Sequence, residues 1–499
     1  MRFASIREDY LTRTQMRKLM NTPKILAIAV SAALLAACGS DDNDSDDKKV
    51  VNAPETYTFP SKVTAGASSV AYSGQVARNV LINELKNMMN TGDIANDLGD
   101  NEGQTAAKDA VVQKLNLVFE AGTTGKASNL KNTQAYTLAT STVTPVGITP
   151  KTENATLEQN DYANADFDNK NLFGKLAGED NDLARGEFIG WTVAISGDQT
   201  ENDKPKLLVE QWFDAFATNA AAGSANVPSG NDGFDYRQLT HKFLLGAVSF
   251  SQASNDYLKA TKGLLKQNSA GDKDGTKPYT SLEHQWDEGF GYFGAARDYN
   301  NYTDEHIGSK KQQDNDTNKD TEIDLTAEYT FAMAQYANKR DYNADSNTDF
   351  SKTIMDGFLK GRQLIQDNYG TDPVEGEGYH AELAEIAKGV IMAWEQMLAA
   401  NTIHYINETL KVMEQVGDQA DKGNLPKYWG EMKGFALALQ FNQQSTSAIT
   451  NAQLKTLNDH LGQTPILTND ADYRASLVSA RDLLSEVFAF ADDGDVTKW

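Results

Sequence analysis

Residues 380–416 read HAELAEIAKGVIMAWEQMLAANTIHYINETLKVMEQV, and this run decides the fold class. It predicts one long helix, or two joined end to end, beyond the usual three or four turns. Helical patterns continue on both sides of it. Residues 325–339 and 350–368 precede it; 427–441, 451–461 and 471–490 follow. Upstream, residues 235–266 form a long apolar-periodic stretch through Phe243, Leu244, Leu245, Phe250 and Leu258, and another helix starts near Ser281. Leu207, Leu208, Trp212, Phe213 and Phe216 make an amphipathic stretch after Pro205. Ser73 or Gly74 opens a helix striped by Val76, Val80, Leu81, Leu85, Met88 and Met89, and residues 105–121 give a second. Strand signals are confined to residues 56–60, a strand or extended lead-in, and to 187–196. The expectation is an all-α bundle of antiparallel helices with an irregular, loop-rich insertion around 122–200. A faint echo between residues 246–253 and 389–398 leaves open a bundle of two halves.

Composition narrows the setting. The net charge of −24 argues against nucleic acid and against docking on an anionic membrane face. With 40% apolar residues over 499 positions, the chain is long enough to bury one large core or two. The single cysteine, Cys38, follows Leu35-Ala36-Ala37 and the apolar run 25–34 behind the basic Lys24. That is the pattern of a secretion signal ending in a lipobox, with Cys38 as the lipidated first residue of the mature chain. Residues 1–37 are then signal peptide, with translation starting at Met20, or at Met16 at the outside. Residues 38–55 are an acidic tether carrying Asp41, Asp42, Asp44, Asp46 and Asp47, and 56–499 the helical domain. Gly39 after the cysteine resembles lipoproteins sorted to an outer membrane, on the periplasmic or the cell-surface side.

The chemistry concentrates in residues 283–328. Asp316, Asn318 and Asp320 alternate at positions 1, 3 and 5 of a calcium loop, with the Glu322 carbonyl at 7, Ile323 at 8 and Asp324 at 9. Thr321 stands where the sharp turn prefers glycine. Ala327 holds position 12, and the acid arrives one residue late at Glu328. Asp314, just upstream, offers a further oxygen. Earlier in the same segment, His284 and Glu288 lie four residues apart, on one helix face, with Asp287 beside them. They form a candidate site for iron or zinc, with Trp286, Phe290, Tyr292 and Phe293 as a dry wall. Pairs at His380 and Glu385 and at His404 and Glu408, with Glu395 between, are weaker candidates of the same kind. Residues 289–294 contain G-x-G without a preceding strand or a phosphate-loop lysine, which argues against nucleotide binding. No His-Glu-x-x-His, no Gly-x-Ser-x-Gly and no cysteine beyond Cys38 points to catalysis.

The lipobox, the lead-in Tyr57-Thr58-Phe59-Pro60, the segment His284-Gln285-Trp286-Asp287-Glu288-Gly289-Phe290-Gly291-Tyr292-Phe293-Gly294, the 316–324 loop and Ala393-Trp394-Glu395 together resemble bacterial lipoproteins of the uncharacterised domain family 4856. The resemblance spans about residues 56–490, and the segment from His284 to Gly294 is its most specific part. In overall character such chains are similar to imelysin-like helical proteins of iron uptake, which carry a Gly-x-His-x-x-Glu motif. Here Asp287 stands at the acid position and no glycine stands two residues before His284.

The expected function is that of a membrane-anchored accessory or binding protein in metal acquisition, serving uptake-system proteins, with calcium in the acidic loop and no enzymatic step. The alternatives are an imelysin-like metallohydrolase, with Glu288 as general base beside a histidine-bound metal, and an interaction scaffold without a transition metal.

Overall fold

The computed structural model describes residues 51–89, 104–120, 170–222, 232–309, 317–319, 324–343, 345–416 and 423–499. The signal expected over 1–37, residues 38–50 of the tether and residues 122–169 of the insertion expected around 122–200 lie outside the described residues; residues 170–200 of that insertion are described and are irregular, with a single 3-10 turn at Phe173–Lys175. The fold is all-α, and among the described residues only isolated β-bridges stand beside the helices, one of them joining Pro60 to Ser68. Residues 187–196 run without strand structure.

The helices are α1 (Ser73–Met88), α2 (Gln104–Phe119), α3 (Lys204–Ala221) and α4 (Tyr236–Leu244). Then come α5 (Ser281–Phe293), α6 (Asp304–Gly308), α7 (Ala332–Asp341) and α8 (Phe350–Asp367). Last are α9 (Gly378–Val416), α10 (Leu425–Ala438), α11 (Asn451–Leu461) and α12 (Ala471–Val487). The run quoted first is one unbroken helix of 39 residues, α9. It packs against α8 on one side and α10 on the other, and α7 and α12 also touch it. Its middle is buried all round: Trp394, Met397, Leu398, Ala399, Ala400 and Ile403 have no exposed surface. Such a helix cannot be amphipathic; neighbours must cover every face.

Local chemistry explains several of the helix starts. Thr280 and Thr450 each accept the amide of the residue three on and receive its side chain in return, forming capping boxes for α5 and α11. Asp235 and Asp470 accept from Gln238 N and Tyr473 N at the starts of α4 and α12. Two expected helices differ in extent. The one expected over 325–339 begins only at Ala332, because residues 325–328 turn back on Asp324. The one expected over 235–266 is α-helical only to Leu244. It continues as π-helix over Leu245–Phe250 and Ala253–Tyr257 and then stops. Gly246 lies so close to α10 that a Cβ there would come 2.3 Å from the Ala438 Cβ, so the wide turn is set where two helices nearly touch.

Two buried ionic hubs tie loops to this frame. Arg185 and Glu395 approach at 3.8 Å, and Glu395 also accepts from Ser447, Ala448 N and Asn442. The other hub, around Arg362, lies under the segment with the expected chemistry.

Candidate functional site

Helix α5 carries that segment and ends where Gly294 adopts a left-handed conformation, φ 76°. Its 3.6-residue period sorts the polar side chains onto two faces. Glu283 and Asp287 face inward with Trp286 and Phe290, and all four are buried. Between the two carboxylates lies Arg362 of α8, itself fully buried. Its Nε donates to Asp287 Oδ1 and its Nη1 to Glu283 Oε1, both at 2.9 Å, while Nη2 donates to Ser69 Oγ at 2.7 Å. The remaining acceptor capacity is filled as well. Tyr57 Oη donates to Asp287 Oδ1 at 2.8 Å, Ala71 N to Asp287 Oδ2 at 2.9 Å, and Thr280 N to Glu283 Oε2 at 2.8 Å. Burial pushes the Asp287 carboxyl up, against the pull of Arg362. Burial alone would lower Arg362, yet Asp287 and then Glu283 raise it, so the guanidinium stays charged. Tyr57 is pushed well up, by burial first and by Asp287 second.

The lead-in at residues 57–60 belongs to this hub. Tyr57 stacks on Phe290 with ring centres 3.8 Å apart, and the Phe59 ring lies 4.8 Å below the Arg362 guanidinium. On the opposite side, Trp286 donates to the Phe358 carbonyl at 2.9 Å. The aromatic residues of α5 are therefore core: Trp286, Phe290, Tyr292 and Phe293 have no exposed surface.

His284 and Glu288 share the other face, one turn apart and reachable from solvent, with side-chain exposures of 31% and 17%. The His284 ring stacks on Tyr279 at 4.7 Å, and its Nδ1 lies 2.9 Å from the Ala71 carbonyl. A carbonyl can only accept, so Nδ1 is the nitrogen that donates there, and Nε2 is the one turned away from it. That Nε2 faces Glu288 Oε1 at 3.8 Å. Glu288 is itself held by the amides of Gln75 at 2.8 Å and Gln285 at 3.1 Å. The structure thus brings together His284 and Glu288 of the expected site and draws Asp287 into the Arg362 hub. Among the described residues no group of three or more His, Cys, Asp or Glu side chains converges as a metal cluster.

Of the acidic loop, Asp314, Asp316, Asp320 and Glu322 lie outside the described residues, as does Cys38. Asn318, Asp324 and Glu328 are described. Glu328 is 3% exposed, and its carboxylate gathers the turn. Oε1 accepts from Thr317 N, Thr317 Oγ1 and Asn318 N at 3.1, 2.8 and 3.3 Å, and Oε2 from Asp324 N at 2.9 Å. Asp324 Oδ1 accepts from Thr326 N at 2.8 Å. The exit of the turn is fastened to the start of α1 and to the segment just after α5: Tyr72 Oη donates to Thr326 O, Arg297 N to Ala327 O, and Phe331 N to Gly294 O.

The weaker candidates on α9 have structural surroundings. His380 Nδ1 accepts from Gly376 N at 3.0 Å, and Nε2 lies 3.0 Å from the Ala260 carbonyl, so the ring clasps two segments. His404 is held well below its ordinary pKa, by burial first and by Arg340 second. Glu395 belongs to the Arg185 hub. Sequence reasoning missed Arg362 and Arg185. A signal for Arg362 existed: it stands among Phe358, Leu359, Leu364 and Ile365, on a helix whose inward face it must share, and a cation there needs an acid opposite.

The sequence pattern of the family described as Domain of unknown function (DUF4856) matches residues 54–464, most of the chain, and the protein belongs to that family. No curated protein matches the sequence. No solved structure matches it either.

Proposed function

We propose that this member of the DUF4856 family is a membrane-anchored, extracytoplasmic binding protein of metal acquisition, in which His284 and Glu288 take a transition-metal ion, iron or zinc. One observation supports this most. The His284 ring is fixed through Nδ1 by a backbone carbonyl, and its Nε2 looks toward a carboxylate that two amides hold in place. Metal-binding histidines are oriented in this way by a partner on the other nitrogen. Two protein ligands on a half-buried helix face that solvent reaches leave the rest of the coordination sphere to water or to a second molecule. That suits a protein that takes and hands on an ion better than one that keeps it.

Calcium has a separate, bracing role in this reading. The Glu328 carboxylate draws residues 317–318 and 324 to one point, bringing Asn318 and Asp324 to the same turn. A hard cation among the oxygens of Asp314, Asp316, Asn318, Asp320, Glu322, Asp324 and Glu328 would offset their mutual repulsion. The lipid anchor at Cys38 would hold the body at an outer membrane, beside the proteins it serves.

Elemental analysis of the protein purified from its native membrane tests the reading. Calcium together with about one equivalent of iron or zinc, the latter lost on His284→Ala, is the expected outcome. Calcium alone, in wild type and variant alike, would leave only a braced scaffold.

A further inference from the structure

A polar cleft of about 450 Å³ lies between residues 181–184, the π-helical turn Ala253–Tyr257 and residues 443–445. Its volume is in the range of small-molecule sites. Its walls are loops, yet the buried polar groups behind them hold those loops firmly. Asn255, on the π-turn, donates to the Asp182 carbonyl at 3.0 Å and accepts from Gln443 Nε2 at 2.8 Å, so one side chain sets the distance between both walls. Ser254 donates to the Phe441 carbonyl at 2.9 Å, just below the second wall. Arg185 donates to Ser447 Oγ and to the Ile449 carbonyl, and Glu395 accepts from Asn442 and from Ala448 N. The first wall is held from outside by Asn202, which donates to Asp182 Oδ1 and accepts from Leu183 N. A backbone in π-turns and a supporting shell this dense are the marks of a preorganised site.

The groups facing the opening define the ligand. Lys259 offers an ammonium that no described residue pairs with. Asp182 keeps one carboxylate oxygen beyond the one that Asn202 occupies. Gln443 keeps its amide oxygen, and Gln444 and Ser445 present an exposed amide and hydroxyl. One positive and one negative charge cancel, so a charged ligand would meet one of them with the wrong sign. Donors and acceptors stand side by side there, a donor on Lys259, acceptors on Asp182 and Gln443, and both on Gln444 and Ser445, and they match hydroxyls, which donate and accept alike. Among the described residues no aromatic ring lines the cleft, so recognition there rests on hydrogen bonds rather than stacking.

We propose that this cleft binds a neutral saccharide. Asp182 accepts from ring hydroxyls, Lys259 donates to a hydroxyl or ring oxygen, and the Gln443, Gln444 and Ser445 groups complete the shell. This site is independent of the His284 and Glu288 pair and of the metal reading.

Saturation-transfer NMR and calorimetry on the whole protein test the proposal. The probes are glucose, galactose, mannose, N-acetylglucosamine and their common disaccharides, with glycine, serine and glutamine as the zwitterionic arm. Binding of at least one saccharide is expected. The double variant Lys259→Ala, Gln444→Ala should weaken it about tenfold or more, the loss of one charge-assisted and one neutral hydrogen bond. Because both side chains reach solvent, its melting temperature should match wild type. His284→Ala should bind the sugar normally. The proposal is overturned if no saccharide binds, if the double variant binds as well as wild type, or if the amino acids bind and the sugars do not.

Discussion

Replacing Arg362 by methionine keeps much of the side-chain volume and removes the charge that Glu283 and Asp287 share at 2.9 Å each. Both carboxylates have no exposed surface, so neither can turn to water. Tyr57, Ala71 N and Thr280 N still donate to them, but three neutral donors do not replace a cation. Breaking a buried pair from one side costs about 3–5 kcal/mol, mostly from the charge left behind. The cost should depend on pH in a definite sense. Burial already raises the Asp287 carboxyl, and losing the guanidinium that lowers it raises it further. A carboxyl raised in the folded state contributes most in acid, where it is protonated, and loses that contribution as pH rises through its folded value. Urea denaturation of Arg362→Met at pH 5, 7 and 8 should therefore show a deficit that grows with pH. Adding Glu283→Gln and Asp287→Asn should recover most of it, because the orphaned charges are gone. A deficit below about 1 kcal/mol, or one equal at all three pH values, would refute the reasoning about the hub.

Three further outcomes follow from the same structure. Lys433, fully buried beside Asn458 at 2.9 Å, is lowered by burial to about 7. A lowered lysine is folded in its neutral form, so stability should climb between about pH 7 and its ordinary value, by at most about 1.4 kcal/mol per unit. Lys433→Met should flatten that slope in denaturation curves at pH 7, 8 and 9; an unchanged slope would assign it to another group. Gly361→Ala would place a Cβ 2.1 Å from the Trp286 ring, and as a clash in a packed core it should cost about 1–3 kcal/mol by thermal or chemical melting. A neutral result there would mean that α5 and α8 are not packed as described. Calcium at a hundredfold excess over its dissociation constant should add about 2.7 kcal/mol. Asp316→Asn with Asp320→Asn should abolish the gain, and a melting temperature indifferent to chelation would remove the bracing ion.

The helices were legible because their signals are local. Capping residues such as Thr280 and Thr450 lie within one turn of the amides they satisfy, and apolar periodicity needs only a dozen residues. The π-helical continuation of α4 was not legible, since it depends on Gly246 meeting Ala438 of a helix almost two hundred residues on. The candidate site divides in the same way. The spacing of His284 and Glu288 fixed their common face, and the structure brings them to 3.8 Å. Asp287 looked like part of that group because it is adjacent in sequence. One residue along a helix is a rotation of about 100°, however, and that rotation turns Asp287 to Arg362, which is 75 residues away. Charge partners brought together by tertiary packing leave no periodic trace in either strand of sequence.

Calorimetric titration of the metal-free protein with zinc and with ferrous iron, in wild type, His284→Ala, Glu288→Gln and Asp287→Asn, tests the central claim most directly. The account predicts about one equivalent bound by wild type, loss of binding in the His284 and Glu288 variants, and binding retained by folded Asp287→Asn. Binding unchanged in His284→Ala, or lost only in Asp287→Asn, would contradict it.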